Sequence, residues 1–250
     1  MTGGRGLARA ILRGLPTLGF LVSALAIAAA LLFLASLHRD AACTAPSPSL
    51  EVEEEGDGFP AVDWDYWLSV NPDIVGWITI PGTPVDYPIV QAPASDPQYY
   101  LSHDVFGKWN YMGCPYLDAQ CREGGLEESP NAVVFGHNLG YGDLSMFASI
   151  ADYLDTGFAE SHREILLQTP RRKMRFEALG ALCTDGSIPT KRTDFENRRD
   201  LMDWLAERLR ECQVVIGSPD PDACRILTLC TCSYNRLENE RTILFAERKP

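Results

Sequence analysis

Three residues of this chain could together carry out acyl transfer: a thiol, an imidazole and a guanidinium. Cys232 ends the run Arg225-Ile226-Leu227-Thr228-Leu229-Cys230-Thr231-Cys232, whose apolar and β-branched residues read as a buried strand. The chain then turns polar at once, through Ser233, Tyr234, Asn235 and Arg236. A strand end fixes a nucleophile, and an adjoining loop admits its substrate. Arg241 opens a second strand, Thr242-Ile243-Leu244-Phe245-Ala246, and a hairpin between the two runs would bring its guanidinium close to Cys232. His137 follows a third run of this kind, Asn131-Ala132-Val133-Val134-Phe135-Gly136. A thiol has an ordinary pKa of about 8.5 and needs help to act at neutral pH. A histidine can take its proton or protonate a leaving amine. An arginine holds its proton too tightly for that work and serves as a fixed charge for an oxyanion or a substrate carbonyl. Taken singly, each has a plainer reading: Cys232 as a buried core thiol, His137 as a structural residue after a strand.

The elements that must hold these side chains are mostly short strands. Asp63 caps a helix to about Asn71, with Trp64, Trp67 and Leu68 on one face, and Asn71-Pro72 ends it. Strands follow over Val75 to Ile80 and Val85 to Gln91, joined by the turn Pro81-Gly82-Thr83-Pro84. Further strands are predicted near Gly113 to Asp118, Asn131 to Gly136, Glu164 to Thr169 and Met174 to Thr184. With the two C-terminal strands this makes about eight, and the pattern predicts a mainly β fold, a closed antiparallel or mixed barrel. Two helices interrupt it. One covers about Asp143 to Tyr153; the other runs from about Asp194 to Glu211 behind a capping box, Thr193-Asp194-Phe195-Glu196.

Charge and hydropathy divide the 250 residues unevenly. The first 39 contain four Arg and no acid, whereas from Asp40 onward 34 acids face 18 Lys and Arg. That acidic balance excludes nucleic acid as a partner, because phosphate binding needs a basic surface. Gly14 to Leu37 carries no formal charge, and its 24 residues exceed the roughly 20 needed to span a bilayer. Arg5, Arg9 and Arg13 precede it, so the positive-inside rule puts the N-terminus in the cytoplasm and the rest outside. A cleaved signal peptide is the rival, with an apolar region usually of about 7–15 residues. The expected organisation is a cytoplasmic tail and membrane anchor over 1–39, a linker over 40–60 and a catalytic domain over 61–250. Eight cysteines outside the cytoplasm invite disulfides, and Cys114/Cys121 and Cys212/Cys224 each flank a turn-rich loop. No Cys or His pair has zinc-site spacing, no loop of carboxylates has calcium-site spacing, and no cofactor is implied.

At the level of motifs the chain resembles a known family. Thr228-Leu229-Cys230-Thr231-Cys232 is similar to the Thr-Leu-x-Thr-Cys motif of sortases, the membrane-anchored cysteine transpeptidases of Gram-positive bacteria. Gly136-His137-Asn138 resembles their histidine motif, and Arg241 their arginine. The run from Asn71 to Thr83, the segments Asp86 to Gln91 and Tyr99-Tyr100-Leu101, and the long helix before the seventh strand resemble class B members. The resemblance implies an eight-stranded sortase barrel with peripheral helices and a catalytic set of His137, Cys232 and Arg241. It implies cleavage of a C-terminal sorting signal of the Asn-Pro-x-Thr type after Thr, through a thioacyl-enzyme. The acceptor would be an amine of the cell-wall precursor or a pilin lysine. Leu101, Ile188 in the region just after Thr184, and Cys230 would line the substrate groove by the same resemblance.

Two departures leave alternatives open. Cys230 fills the variable position of the motif, so two thiols point to one face of a strand. It serves either as a small groove-lining side chain or as a redox partner for Cys232. Arg236 also follows Cys232, but a strand position such as that of Arg241 holds a guanidinium better than a loop does. The competing functions are a membrane-tethered peptide-binding or assembly protein without turnover, and a thiol-redox protein using Cys230 and Cys232. The usual redox spacing, Cys-x-x-Cys at a helix start, is not the spacing found here.

Overall fold

Short β-rich segments separated by turns pair into one sheet in the computed structural model, which describes residues 57–140, 142–234 and 239–250. The strands are β1 (Ile74–Thr79), β2 (Asp86–Val90), β3 (Tyr116–Leu117), β4 (Asn131–Phe135), β5 (Glu164–Gln168), β6 (Lys173–Asp185), β7 (Val214–Val215), β8 (Ile226–Ser233) and β9 (Glu240–Arg248). Their order is β5-β1-β2-β3-β4-β8-β9-β6-β7, and β5 also pairs with β6. That last pairing closes an eight-stranded barrel, and β7 hangs from β6 as an extra strand. The barrel is mixed: β2–β3 and β4–β8 are parallel, and the other pairs are antiparallel. Closure leaves no long unpaired edge among the eight, which removes the usual route to edge-to-edge association.

Alternation along each strand separates two faces. Leu227, Leu229, Val134, Leu244 and Ala246 are fully buried on one face. On the other, Ile226, Cys230, Leu182, Ile243 and Phe245 pack against a helix. The helices are α1 (Trp64–Val70), α2 (Gly125–Glu128), α3 (Ala148–Asp152), α4 (Thr156–Ser161) and α5 (Arg198–Glu211). Helix α5 presents Leu201, Trp204 and Leu205 to the outer face of β6, β9 and β8, and Trp204 meets Phe245 edge-on at 5.8 Å. Each such buried side chain contributes about 2 kcal/mol. The helix therefore fixes the sheet from behind, next to the strand that carries both thiols.

The structure revises several expectations. The helix predicted over Asp143 to Tyr153 is only the five-residue α3. Met146 has φ +54°, outside helical geometry, and Leu144 is exposed. The 143–147 backbone bonds elsewhere instead: Phe147 N donates to His137 O at 2.8 Å, and Met146 N to the Tyr87 hydroxyl at 3.0 Å. Helix α5 starts at Arg198 under an Asn197 cap and not from a box at Thr193. Asp200 explains this, since it accepts from both Arg192 Nη atoms and from Glu196 N, which holds 192–196 as a loop. Helix α4 was not expected. The disulfide pairs do not form among the described residues: Cys114, Cys121, Cys212 and Cys224 all remain thiols. Cys114 Sγ donates to Pro88 O at 3.7 Å, Cys121 Sγ to Asn131 O at 3.4 Å and Cys212 Sγ to Arg208 O at 3.3 Å, so three of them face backbone carbonyls.

The expected membrane span, 14–37, and the linker as far as residue 56 lie outside the described residues. Among those described, no helix is long and apolar enough to cross a membrane. The end of the expected linker lies against the barrel. Phe59 sits under Lys173 and Arg175, and Gln168 Nε2 donates to Pro60 O at 2.9 Å.

Asn131 ties three parts of the chain together. Its Oδ1 accepts from Thr228 Oγ1 on β8 at 2.7 Å, and its Nδ2 donates to Arg192 O in the loop before α5 at 2.8 Å. It is completely buried. Asn131→Ala strands a hydroxyl and a carbonyl, and we expect a loss of about 2 kcal/mol in urea unfolding. An unchanged midpoint would show that the loop is held by other contacts.

Candidate active site

The site is set by strand register. In the β8–β9 hairpin Cys232 is the direct partner of Arg241, and Cys230 of Ile243. In the parallel β4–β8 pair Phe135 is level with Cys230. The ladder continues past the end of β4, because Gly136 N donates to Cys230 O at 3.1 Å and Thr231 Oγ1 donates to Gly136 O at 2.8 Å. These ladder bonds reach Gly136; His137 is the next residue, and its segment leaves the strand next to the one that carries Cys232. The loop after β8 is tied to the same segment, since the Tyr234 hydroxyl donates to Asn138 O at 2.8 Å.

His137 is held on both sides. Its ring Nε2 lies 2.9 Å from Leu101 O. A carbonyl only accepts, so Nε2 carries the proton and Nδ1 is the nitrogen left to exchange one. Leu101 belongs to a single 3₁₀ turn, Tyr99–Leu101. Gly113 packs directly beneath that turn with φ +59°, and a Cβ there would come within 2.4 Å of Tyr100 O. Gly136 is needed for closeness too: a Cβ would meet the Phe147 ring at 2.5 Å. Phe147 is fully buried and its N–H binds His137 O, so a bulkier residue 136 would displace the histidine segment.

Arg241 is half-buried, and its Nη1 donates to Glu240 O at 3.0 Å. Across β9 it faces Thr184 of β6. Beside it runs a groove of about 300 Å³. Val133 and Phe135 from β4, Thr228 and Cys230 from β8, and Arg241 and Ile243 from β9 line one side. The segment Ile188 to Lys191 lines the other. The lining is mainly apolar with one guanidinium at its end and Lys191 on its wall, where Lys191 Nζ is 2.7 Å from Asp118 Oδ2. Such a groove suits an extended peptide with small apolar side chains and carbonyls to be read by donors.

The residues named from the sequence are distributed as follows. Cys230, Ile188 and Arg241 line the groove. Leu101 does not; its part is the carbonyl that holds His137. Cys232 lies at the end of β8, partly exposed. Burial pushes the Cys230 thiol up to about 12, with the neighbouring Cys232 adding to the rise and Arg241 opposing it. Cys230 therefore stays protonated at neutral pH, which gives a resting role to the second thiol. Phe135, Lys191 and Tyr116 were not singled out from the sequence. Phe135 could have been, since it is two residues before His137 on an alternating strand. The other two enter through long-range pairings that no local pattern announces.

Similarity to known proteins bears on this arrangement. The chain is 30% identical to the sortase B of Staphylococcus aureus over 175 residues, which make up 70% of this chain and 69% of that protein. The chain belongs to the class B sortases. A second sortase B, from Listeria monocytogenes, is 29% identical over 67% of this chain and 65% of its own length. Among solved structures, a Staphylococcus aureus sortase B–substrate complex matches with a TM-score of 0.65 at 29% identity, covering 74% of this chain and 83% of that one. Sortase B of Clostridium perfringens matches with a TM-score of 0.67 at 27% identity, covering 74% and 99%. No family model matches the chain. As a class B sortase the protein is a cysteine transpeptidase on a closed β-barrel.

The burial difference between the two thiols is directly measurable. Cys230 is 8% exposed and held protonated, whereas Cys232 is partly open. Brief iodoacetamide treatment at pH 7.5, followed by peptide mapping, should label Cys232 and leave Cys230 unmodified. Labelling of Cys230 ahead of Cys232 would contradict this assignment of roles.

Proposed function

We propose that this sortase cleaves a C-terminal sorting signal of the Asn-Pro-x-Thr type after its threonine and joins the new carboxyl end to an amine. Cys232 is the nucleophile, His137 the proton carrier and Arg241 the fixed charge. His137 Nδ1 takes the proton of the Cys232 thiol, and the resulting thiolate attacks the threonine carbonyl. The guanidinium of Arg241 faces the oxygen that becomes negative. His137 delivers a proton from Nδ1 to the departing amide nitrogen, and the thioacyl bond remains on Cys232. An incoming amine then attacks the thioester and loses a proton to His137; the C–S bond breaks, and the Cys232 thiolate takes that proton back as the thiol. The amine belongs to a cell-wall precursor or to a pilin lysine.

The observation that carries this reading is the β4–β8–β9 register, with Cys232 opposite Arg241 and the end of β4 running alongside. The groove of about 300 Å³ beside Arg241 supports it, because an extended signal could lie between Phe135 and Ile188 with its carbonyls toward the guanidinium. The relatives support it in kind: one S. aureus sortase B was solved as a substrate complex and another sortase B complexed with Gly3, a peptide with a free amine. The uncharged run over 14–37 and the arginines before it support a membrane anchor, with the catalytic domain outside the cell and a short spacer between them. A redox function for the Cys230/Cys232 pair is disfavoured by the burial of Cys230.

The test is mass spectrometry of the enzyme mixed with an Asn-Pro-x-Thr peptide in the absence of an acceptor amine. A mass increase equal to the peptide up to threonine is expected, released by hydroxylamine. Cys232→Ala and His137→Ala should each lower turnover by at least about 10³-fold. Arg241→Lys keeps the charge but loses the fork geometry, and should cost about 10²-fold in kcat. Full turnover by Cys232→Ala would end this reading.

A further inference from the structure

Tyr116 stands on the strand next to Phe135, which lines the groove. It is the direct partner of Phe135 in the β3–β4 pair, and Phe135 is level with Cys230, which is opposite Ile243. Directly paired residues project to one face of a sheet, so these four side chains form one row across four strands. The next same-face position along β8 and β9 is Cys232 with Arg241. The Tyr116 ring stacks on Phe135 with centroids 5.4 Å apart and planes 26° from parallel. It is thereby fixed against Phe135, a residue of the groove wall, with both thiols and Arg241 within electrostatic reach.

Its hydroxyl is unlike those of five other tyrosines. The hydroxyls of Tyr99, Tyr100, Tyr153 and Tyr234 donate to Gly107 O, Asp73 Oδ2, His162 O and Asn138 O, and that of Tyr87 accepts from Met146 N. Among the described residues the Tyr116 hydroxyl has no hydrogen-bond partner. A half-buried phenol usually has one. Burial, with Cys230 and Asp118 adding to it, pushes this phenol up to about 12, so it keeps its proton and remains a donor at neutral pH. A neutral donor with no protein acceptor, fixed by a ring stacked on a groove-wall residue and with a thiol and a guanidinium within electrostatic reach, is suited to an acceptor oxygen that arrives with the substrate.

We propose that Tyr116 is a further catalytic residue of this sortase, its O–H donating to the carbonyl oxygen that becomes the oxyanion when Cys232 attacks. This rests on the acyl-transfer reading under Proposed function. The donor would act alongside the Arg241 guanidinium, and preorganised donors of this kind act mainly on kcat.

Tyr116→Phe keeps the ring and its stacking on Phe135 and removes only the hydroxyl. In the full-length chain in detergent micelles, pre-steady-state acylation by an Asn-Pro-x-Thr peptide should slow by about 10²-fold, with KM changed less than about threefold. Alkylation of Cys232 by iodoacetamide forms no oxyanion, so its rate and pH profile should be unchanged. Acylation by Tyr116→Phe within about twofold of the unsubstituted enzyme would overturn the proposal. So would equal slowing of acylation and alkylation, which would put the hydroxyl on the thiol, or a raised KM with unchanged kcat, which would make it a ground-state contact. If the unsubstituted chain forms no thioacyl adduct, the acyl-transfer reading itself fails and Tyr116 falls with it. If it acylates normally, the rate measured for Tyr116→Phe bears on Tyr116 alone.

Discussion

The backbone ladder across β4, β8 and β9 is the constraint on which the site depends. Side chains 95 residues and more apart in sequence meet because hydrogen bonds fix which residue stands opposite which. A slip of one place would turn every second side chain to the other face of the sheet. Cys232 would then point into the barrel with Leu229 and Leu244, and Thr231 would stand in the groove. The register is protected from both sides. Inside the barrel, buried Leu227, Leu229, Leu244 and Ala246 interlock. Outside, helix α5 packs Leu201, Trp204 and Leu205 on the alternate residues of the same strands. The large hydrophobic burial that stabilises the fold therefore also orients the thiol.

The elements next to the ladder are less regular, and each is held by polar contacts. The His137 segment leaves β4 and is caught by Phe147 N, Leu101 O and the Tyr234 hydroxyl, which come from three different loops. The wall opposite Cys230, Ile188 to Lys191, is tied to Asp118 through Lys191 and precedes a loop anchored by Asn131 and Asp200. This division suits an enzyme that binds a flexible peptide. Cys232 and one groove wall sit on the strands, and the other wall sits on a loop segment held by polar contacts.

Much of this was legible in the residues themselves. The runs around Cys232 and Arg241 are apolar, β-branched and separated by a short polar stretch, so a hairpin follows from local pattern alone. The same holds for Asn131 to Phe135. What sequence could not supply was pairing between distant strands. β3 is two residues long, and nothing in Gly113-Cys114-Pro115-Tyr116-Leu117 announces that Tyr116 will stand beside Phe135. The Asp143 to Tyr153 stretch shows the opposite error. Its helical spacing of Leu144, Phe147 and Ile150 was real, but the backbone of Met146 and Phe147 was claimed by Tyr87 and His137. Loop context suggests cysteine pairs, whereas Cys121 and Cys212 are free thiols that each donate to a backbone carbonyl.

The most direct measurement is a crystal structure of the enzyme after reaction with an Asn-Pro-x-Thr peptide bearing a vinyl sulfone in place of the scissile carbonyl. The account predicts a covalent bond to Cys232 Sγ, the peptide lying between Phe135 and Ile188, and His137 Nδ1 and the Arg241 guanidinium both turned toward the reacted end. A peptide bonded to Cys230, or seated away from that groove with Arg241 turned elsewhere, would contradict it.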